Sequence, residues 1–413
     1  MYLSAVWLLL IGLNLTAFAQ VETIKNNISS PIKIGCLFPL AGAGGLYGRD
    51  SVAAIKLALE DLESSTQYNY PKLEVIFGDT RSKSLRAVQI ARRFIKENDV
   101  DFLCGVVSSK IALEVTEIAK ENEVFFIGTD HASPSLINEA LHSYYFRVNN
   151  GTRQSMRAGA KYIKESYAQS SEALKIAFIG PDYDYGYQAW EDLRFFLEEE
   201  NVNFETAGEY WPKLFETDYS LYIHALKNTK PDIIVNGQWG QDLVTFLKQA
   251  NPLGLFENSQ VMNFDAGGNY ATLLEMGSEM PLGLVLSARH HVNWPVTEGN
   301  RSFVEKFRTQ VGRYPSYAAQ GAYSGIISIA EVMRITKKPY NKKAIQRALE
   351  NLVVKLPEDP DGFSSFMDPE THQMLQAQAI GKTKLSNEYL PAKVVLGDWF
   401  IHFPEKHSSS VVQ

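Results

Sequence analysis

Short apolar runs alternate with longer stretches in which apolar positions recur every three or four residues. This pattern holds almost throughout the chain beyond residue 31. The runs at 32–37, 73–77, 102–107, 124–127 and 144–148 read as buried strands, and the stretches at 85–96 and 111–121 as amphipathic helices. A second series has helices over 153–166, 185–199, 219–227 and 242–249 and strands over 175–180, 203–209, 233–236 and 261–263. Apolar strands separated by helices build parallel sheets covered on both faces. The same layout occurs twice, which predicts an α/β protein with two doubly wound lobes.

The first unit, residues 32–62, is the most informative. A strand runs into a glycine-rich turn at 41–48, and a helix is expected to open near 49–51, with Val52, Ile55, Leu59 and Leu62 facing the core. A strand end, a tight loop and a helix N-terminus present unpaired N–H groups and a positive dipole end, which suits a small anion.

Beyond residue 297 the order changes. Helices over 298–311, 317–335 and 342–349 follow one another without strands, and then come strands at 363–367, 376–381 and 394–402. Helices that lack a sheet of their own must pack on an existing lobe. The chain is therefore expected to cross between lobes near 148–150, 284–290 and 353–361. That assigns 32–148 with 290–352 to the first lobe, 149–289 with 353–403 to the second, and 404–413 to a flexible tail. Two α/β lobes joined by several strands form a hinged cleft at the carboxyl ends of their strands.

Residues 1–19 carry no charged side chain, hold an apolar run at 6–13 and end in Ala17-Phe18-Ala19, a small-residue cleavage pattern that predicts a mature start at Gln20. An uncleaved membrane anchor is the alternative for the same run. The 413 residues are 45% hydrophobic and 21% charged, with a formal net charge of −7. The size fits two domains, and the acidic balance without a basic stripe excludes a nucleic-acid partner.

Cys36 and Cys104 fall in strands expected to be neighbours in a parallel sheet, and are read as buried thiols because such neighbours offer poor bridge geometry. Gly42-Ala43-Gly44 opens a nucleotide fingerprint whose third glycine is replaced by Tyr47, and an exported protein has little use for a nicotinamide cofactor. The chain has no G-x-S-x-G elbow, no phosphate-loop lysine and no metal-ligand spacing among its histidines, so neither enzyme chemistry, cofactor nor metal is implied.

The polar loops after strands are the candidate chemistry. Ser108-Ser109 ends one strand and opens a helix, and Thr129-Asp130-His131 ends the next. In the second series Tyr185 follows the strand KIAFIG, Trp239 follows DIIVN, and Asp265 follows the strand at 261–263. Aromatics in such loops are cleft walls, and a lone aspartate is a natural acceptor for an ammonium.

Segments IKIGCLFPLAGAGGLYGRDSVAAIKLALEDL, GDTRSKSLRAVQIARRFI, FLCGVVSSKIALEVTEIA, FFIGTDHASPSL, IAFIGPDYDYGYQAWEDL and YPSYAAQGAYSGI, in this order, resemble the leucine/isoleucine/valine-binding type of solute-binding protein of ABC importers. The resemblance covers nearly all of the expected mature chain. It implies the type I periplasmic-binding-protein fold, a periplasmic location and an ABC permease as partner. It further implies that an amino acid's carboxylate is held by Ser109 and the Thr129–His131 loop, and its ammonium by Asp265. Tyr47, Tyr185, Trp239 and Tyr317 would close over the ligand. An amide- or urea-type ligand, which would not need Asp265, and a ligand-sensing receptor domain are the alternatives within this fold.

Overall fold

The computed structural model describes residues 31–42, 44–168, 172–336 and 341–405. The expected leader at 1–19, and the part of the expected tail beyond 405, lie outside the described residues. The chain begins with β1 (Ile32–Phe38), α1 (Gly45–Ser64), β2 (Leu73–Asp79), α2 (Ser84–Lys96), β3 (Phe102–Gly105), α3 (Ser109–Glu121), β4 (Phe125–Gly128) and β5 (Tyr145–Arg147). It continues with α4 (Thr152–Ser166), β6 (Leu174–Ile179), α5 (Asp184–Glu199), β7 (Phe204–Tyr210), α6 (Ser220–Thr229) and β8 (Ile233–Asn236). Next come α7 (Gly240–Ala250), β9 (Gln260–Asn263), α8 (Tyr270–Met276) and β10 (Val285–Ser287). The last part holds α9 (Glu298–Val311), α10 (Tyr317–Thr336), α11 (Lys342–Glu350), β11 (Val353–Val354), β12 (Ser365–Asp368), β13 (Gln373–Leu375), β14 (Gln378–Leu385) and β15 (Val394–His402).

The strands form two sheets, ordered β11-β12-β13-β5-β4-β3-β1-β2 and β15-β14-β10-β9-β8-β6-β7. Each has five parallel strands in the order second-first-third-fourth-fifth; β13 adds to the first sheet in parallel before β12 and β11 pair antiparallel, and β14 and β15 form an antiparallel edge of the second. The fold is α/β, with two doubly wound lobes. In the first lobe, Ile55 and Leu62 of α1, Ile326 and Ile329 of α10 and Leu349 of α11 cover one face of the sheet. Ile90 and Phe94 of α2 and Ile111 and Val115 of α3 cover the other. In the second lobe, α4 and α5 bury Met156, Trp190 and Phe196 against one face, and α6, α7 and α8 bury Leu226, Leu247 and Leu273 against the other.

Three expectations are corrected. First, α1 begins at Gly45, inside the expected turn, so that turn is shorter and Tyr47 is helical. Gly48 is needed there because a Cβ would overlap the carbonyl oxygen of Pro39. Second, 353–375 stays with the first lobe. β12 and β13 pair antiparallel, and β13 adds beside β5 through Gln373 and Arg147, so the last crossing lies between Leu375 and Gln378. Third, Cys36 and Cys104 are disulfide-bonded. Parallel strands β1 and β3 bring them directly opposite one another, with Cα atoms 4.4 Å apart, at the near limit of the bridgeable range.

The other crossings follow β5 and β10. Asn150 ties the first of them to the last, its N–H donating to Gln376 Oε1 (3.1 Å) and its side-chain amide to Gln378 Oε1 (2.9 Å).

Candidate functional site

The carboxyl ends of the two parallel sheets face each other across the crossings, as expected for ligand-binding α/β sheets. The loops after β3 and β4 bring Val107, Ser109, Asp130, His131 and Ala132 from the first lobe. Those after β6 and β8 bring Tyr183, Tyr185 and Trp239 from the second, Arg289 follows β10 on a crossing, and Tyr317 opens α10. The cavity they enclose is only about 20 Å3, room for about one water. The lobes are closed. Any larger solute has to part them or displace their side chains.

At its centre lies a buried ionic cluster. The Arg289 guanidinium donates to Asp130 Oδ1 of the first lobe (2.8 Å) and to Asp265 Oδ2 of the second (2.5 Å), and also to the Asp130 carbonyl (2.6 Å). Its guanidinium carbon lies 4.9 Å from the centre of the Tyr317 ring. Burial alone would lower the Arg289 pKa, but Asp265, Tyr317 and Asp130 raise it, so the guanidinium stays charged. Asp265 is fully engaged, because it also accepts from Ser155 Oγ at Oδ1 (2.9 Å) and from the Tyr185 hydroxyl at Oδ2 (2.8 Å). Asp130 is not. Its Oδ2 is buried without a partner, as is Nε of Arg289. Burial pushes the Asp130 carboxyl up to about 7; Arg289 opposes the shift and Asp265 reinforces it.

Aromatic rings close the cluster. Tyr47 lies edge-on to Trp239 (6.1 Å between ring centres) and packs on Tyr317 (5.3 Å), so one ring contact spans the lobes. Trp239 Nε1 donates to the Tyr183 hydroxyl (3.1 Å), and Tyr183 stacks on Tyr185 (5.8 Å). Ser109 Oγ accepts from the N–H groups of Ala132 (3.3 Å) and Ser133 (3.2 Å), leaving its own proton to donate.

Of the residues expected at the site, Ser109, Asp130, His131, Tyr185, Trp239 and Tyr317 line the cavity, with Tyr47 and Asp265 directly behind them. Ser108 and Thr129 do not line it; Ser108 precedes α3 as its N-cap, and Thr129 is buried beneath the loop. The glycine turn at 41–48, expected to hold an anion, contributes to the cleft through Tyr47, and its Gly45 and Gly48 N–H groups are bonded within the turn. His131 is committed to the protein, with Nδ1 3.0 Å from the Val106 carbonyl and Nε2 2.8 Å from the Tyr145 hydroxyl. Arg289 was not anticipated, whereas Tyr183 stands beside Tyr185 in the loop after β6 that was expected to wall the cleft. Arg289 had a readable signal, since it is a base placed immediately after a strand on an expected crossing.

Among the described residues no group of three His, Cys, Asp or Glu side chains is placed to hold a metal ion, and no helix is long and apolar enough to cross a membrane. A wider groove, about 740 Å3, lies between α1, α9 and α10 and shares no residue with the cleft. Its Asp61–Lys306 and Glu331–Arg334 charges are already paired, and no lining side chain is a buried polar group without a partner, in contrast to Asp130 and Arg289 of the smaller cavity.

Residues 31–388 match a family described as "Periplasmic binding protein". The chain is 25% identical over 365 residues to "Leu/Ile/Val-binding protein homolog 7" of Brucella suis biovar 1 (strain 1330), covering 86% of this chain and 89% of that protein. Among solved structures it is similar to an amino acid ABC transporter substrate-binding protein from Pseudomonas fluorescens Pf-5 (TM-score 0.78, 20% identity, 91% of this chain and 97% of that one). It is also similar to an ABC transporter solute-binding protein from R. palustris in complex with 4-hydroxybenzoate (TM-score 0.79, 18% identity, 93% of this chain and 100% of that one).

Proposed function

The chain belongs to the periplasmic binding protein family, and from that premise we propose that it captures a small amino acid or related carboxylate between its lobes and delivers it to an ABC permease. The family comprises transporter binding proteins rather than enzymes, and works outside the cytoplasm. In this reading the leader at 1–19 carries the chain to the periplasm and is removed before Gln20.

One observation carries the reading: a buried polar cluster to which each lobe contributes an acid, bridged by Arg289 and walled by aromatic rings from both lobes. A ligand that touches both walls favours closure by its differential affinity for the closed form. For a carboxylate, the free proton of Ser109 and the N-terminal dipole of α3 are suitable donors on the first lobe. Tyr185, Trp239, Tyr47 and Tyr317 supply the apolar walls.

Plain aromatic carboxylates form a second ligand class, favoured by one observation. Asp265, the expected partner of an ammonium, already accepts three hydrogen bonds from Arg289, Tyr185 and Ser155.

The test is thermal unfolding of the full protein against α-amino acids, amides and aromatic carboxylates. A ligand at 100 times its dissociation constant adds about 2.7 kcal/mol. A raised transition with one of these classes supports solute capture; no shift with any of them sinks the proposed ligand chemistry.

A further inference from the structure

One guanidinium set between two carboxylates leaves the closed cleft with one negative charge in excess when all three groups are ionised. The two acids are not equivalent. Asp265 has both oxygens occupied, one by Ser155 and the other by Tyr185 and Arg289. Asp130 has one oxygen occupied and the other buried without a partner, and Arg289 has a buried N–H without one. A buried charge left partly unpaired is costly, and these two open positions, one acceptor and one donor, are complementary to a zwitterion.

Resting on the solute-capture reading, we propose that the ammonium of an α-amino acid is received by Asp130, on the first lobe, and not by Asp265. Arg289 is then the resident counter-ion of Asp265. It fills the acid that a ligand would otherwise have to neutralise and turns Nε toward the ligand's carboxylate. Asp130 is the specificity-determining residue, and Arg289 positions it.

The charged and titratable groups that face Asp130 are Arg289 from the crossing, Asp265 from the loop after β9, Tyr47 of α1 and Tyr317 of α10. Both tyrosines have raised pKa values, with burial as the main cause, and stay neutral. Asp130, raised to about 7 by burial, changes charge near pH 7. An ammonium needs it ionised. Amino-acid affinity should rise with pH, by up to about tenfold per unit below pH 7, and level off above it. A plain carboxylate would show the opposite trend, because it gains from a protonated Asp130.

The experiment titrates the full protein with L-leucine and L-phenylalanine, and with their deaminated analogues 4-methylpentanoate and 3-phenylpropanoate, from pH 5.5 to 8.5. The proposal expects an amino acid to bind more tightly than its analogue, by on the order of 100-fold at pH 8. Asp130→Asn should abolish that preference. Asp265→Asn should weaken both members of a pair and leave the preference in place. A preference that survives in Asp130→Asn overturns the proposal but not solute capture, and so do analogues that bind as well as amino acids with affinity falling as pH rises. If Asp130→Asn does not fold, the wild-type pH profile alone decides. Binding of none of the four probes overturns the amino-acid reading itself, and this inference with it.

Discussion

His131 shows what a buried polar side chain in a binding loop can be for. Both ring nitrogens are spent inside the first lobe, on the Val106 carbonyl and the Tyr145 hydroxyl, so it shapes the wall beside Asp130 without offering a free nitrogen. Burial depresses its pKa to about 3; the positive charges of Arg147 and Arg289 add to that, and the Val106 carbonyl opposes it. In the unfolded chain it titrates near 6.5. Below about pH 6.5 the unfolded state therefore binds a proton that the folded state refuses, and stability is lost as pH falls towards 3. Asp130 and Asp192, raised to about 7 and about 6, pull the other way, since the folded state there holds protons that the unfolded chain releases. The histidine's part is isolated by comparison with His131→Gln. The stability difference between wild type and variant should shrink by up to about 1.4 kcal/mol per pH unit between pH 6 and pH 4. Urea unfolding at both pH values reads it; an unchanged difference means that His131 is not held neutral. At this scale the sequence showed Ser109, Asp130 and Asp265 because each stands just after an apolar strand. It did not show that Arg289 engages Asp265. Side-chain direction at a crossing depends on how two lobes meet, which no local spacing encodes.

The disulfide and the late strands belong to the scale of elements. Runs of apolar residues identified β1, β3, β4, β6 and β8 because strands buried on both faces need nothing else. β11 and β13 are two and three residues long, and their sheet membership comes from pairing with β12 and β5 rather than from a pattern of their own. That is why the last crossing was expected too early. The bridge was missed for another reason: the poor geometry expected of parallel neighbours does not hold here, where the register sets Cys36 opposite Cys104 with Cα atoms 4.4 Å apart. The bridge closes a loop with a sequence separation of 68, so chain-entropy reasoning gives it roughly 4 kcal/mol. Replacing both cysteines by alanine should cost roughly 2–5 kcal/mol, seen as a lower urea midpoint that no longer responds to reductant. A midpoint unchanged by the double replacement would show that the bridge adds nothing. Helix placement makes its own demand at Gly321, where α10 runs so close to the β4 loop that a Cβ would overlap the Thr129 carbonyl. Gly321→Ala should destabilise by about 1–3 kcal/mol and, because Thr129 adjoins Asp130, weaken ligand binding as well. Retained stability, measured by thermal unfolding, would mean that the helix can move away without loss.

For the molecule as a whole, the decisive question is what holds two lobes together around a cavity this small. Arg289 ties the acids of both lobes at the centre, and Tyr47 meets Trp239 above it. A third link lies away from the cavity lining. Asp184, in the first turn of α5, accepts hydrogen bonds from the hydroxyls of Ser133 and Ser135, the latter at 2.8 Å, and these serines follow the Asp130 loop of the first lobe. A hydrogen bond to a charged group contributes about 1.5–3 kcal/mol net. Such a link exists only when the lobes are closed, so it biases the open–closed equilibrium without touching ligand. Asp184→Ala should shift that equilibrium towards the open form by roughly tenfold or more. Since ligand bridges the closed form, apparent affinity should fall by up to the same factor, most of it through faster dissociation. Two measurements separate this clasp from a direct contact. Small-angle scattering of the ligand-free variant should show a larger radius of gyration, and the preference between an amino acid and its deaminated analogue should stay as in the wild type. An unchanged radius together with unchanged affinity would leave closure to Arg289 and the aromatic rings. A changed preference would instead mean that Asp184 acts on the ligand site itself.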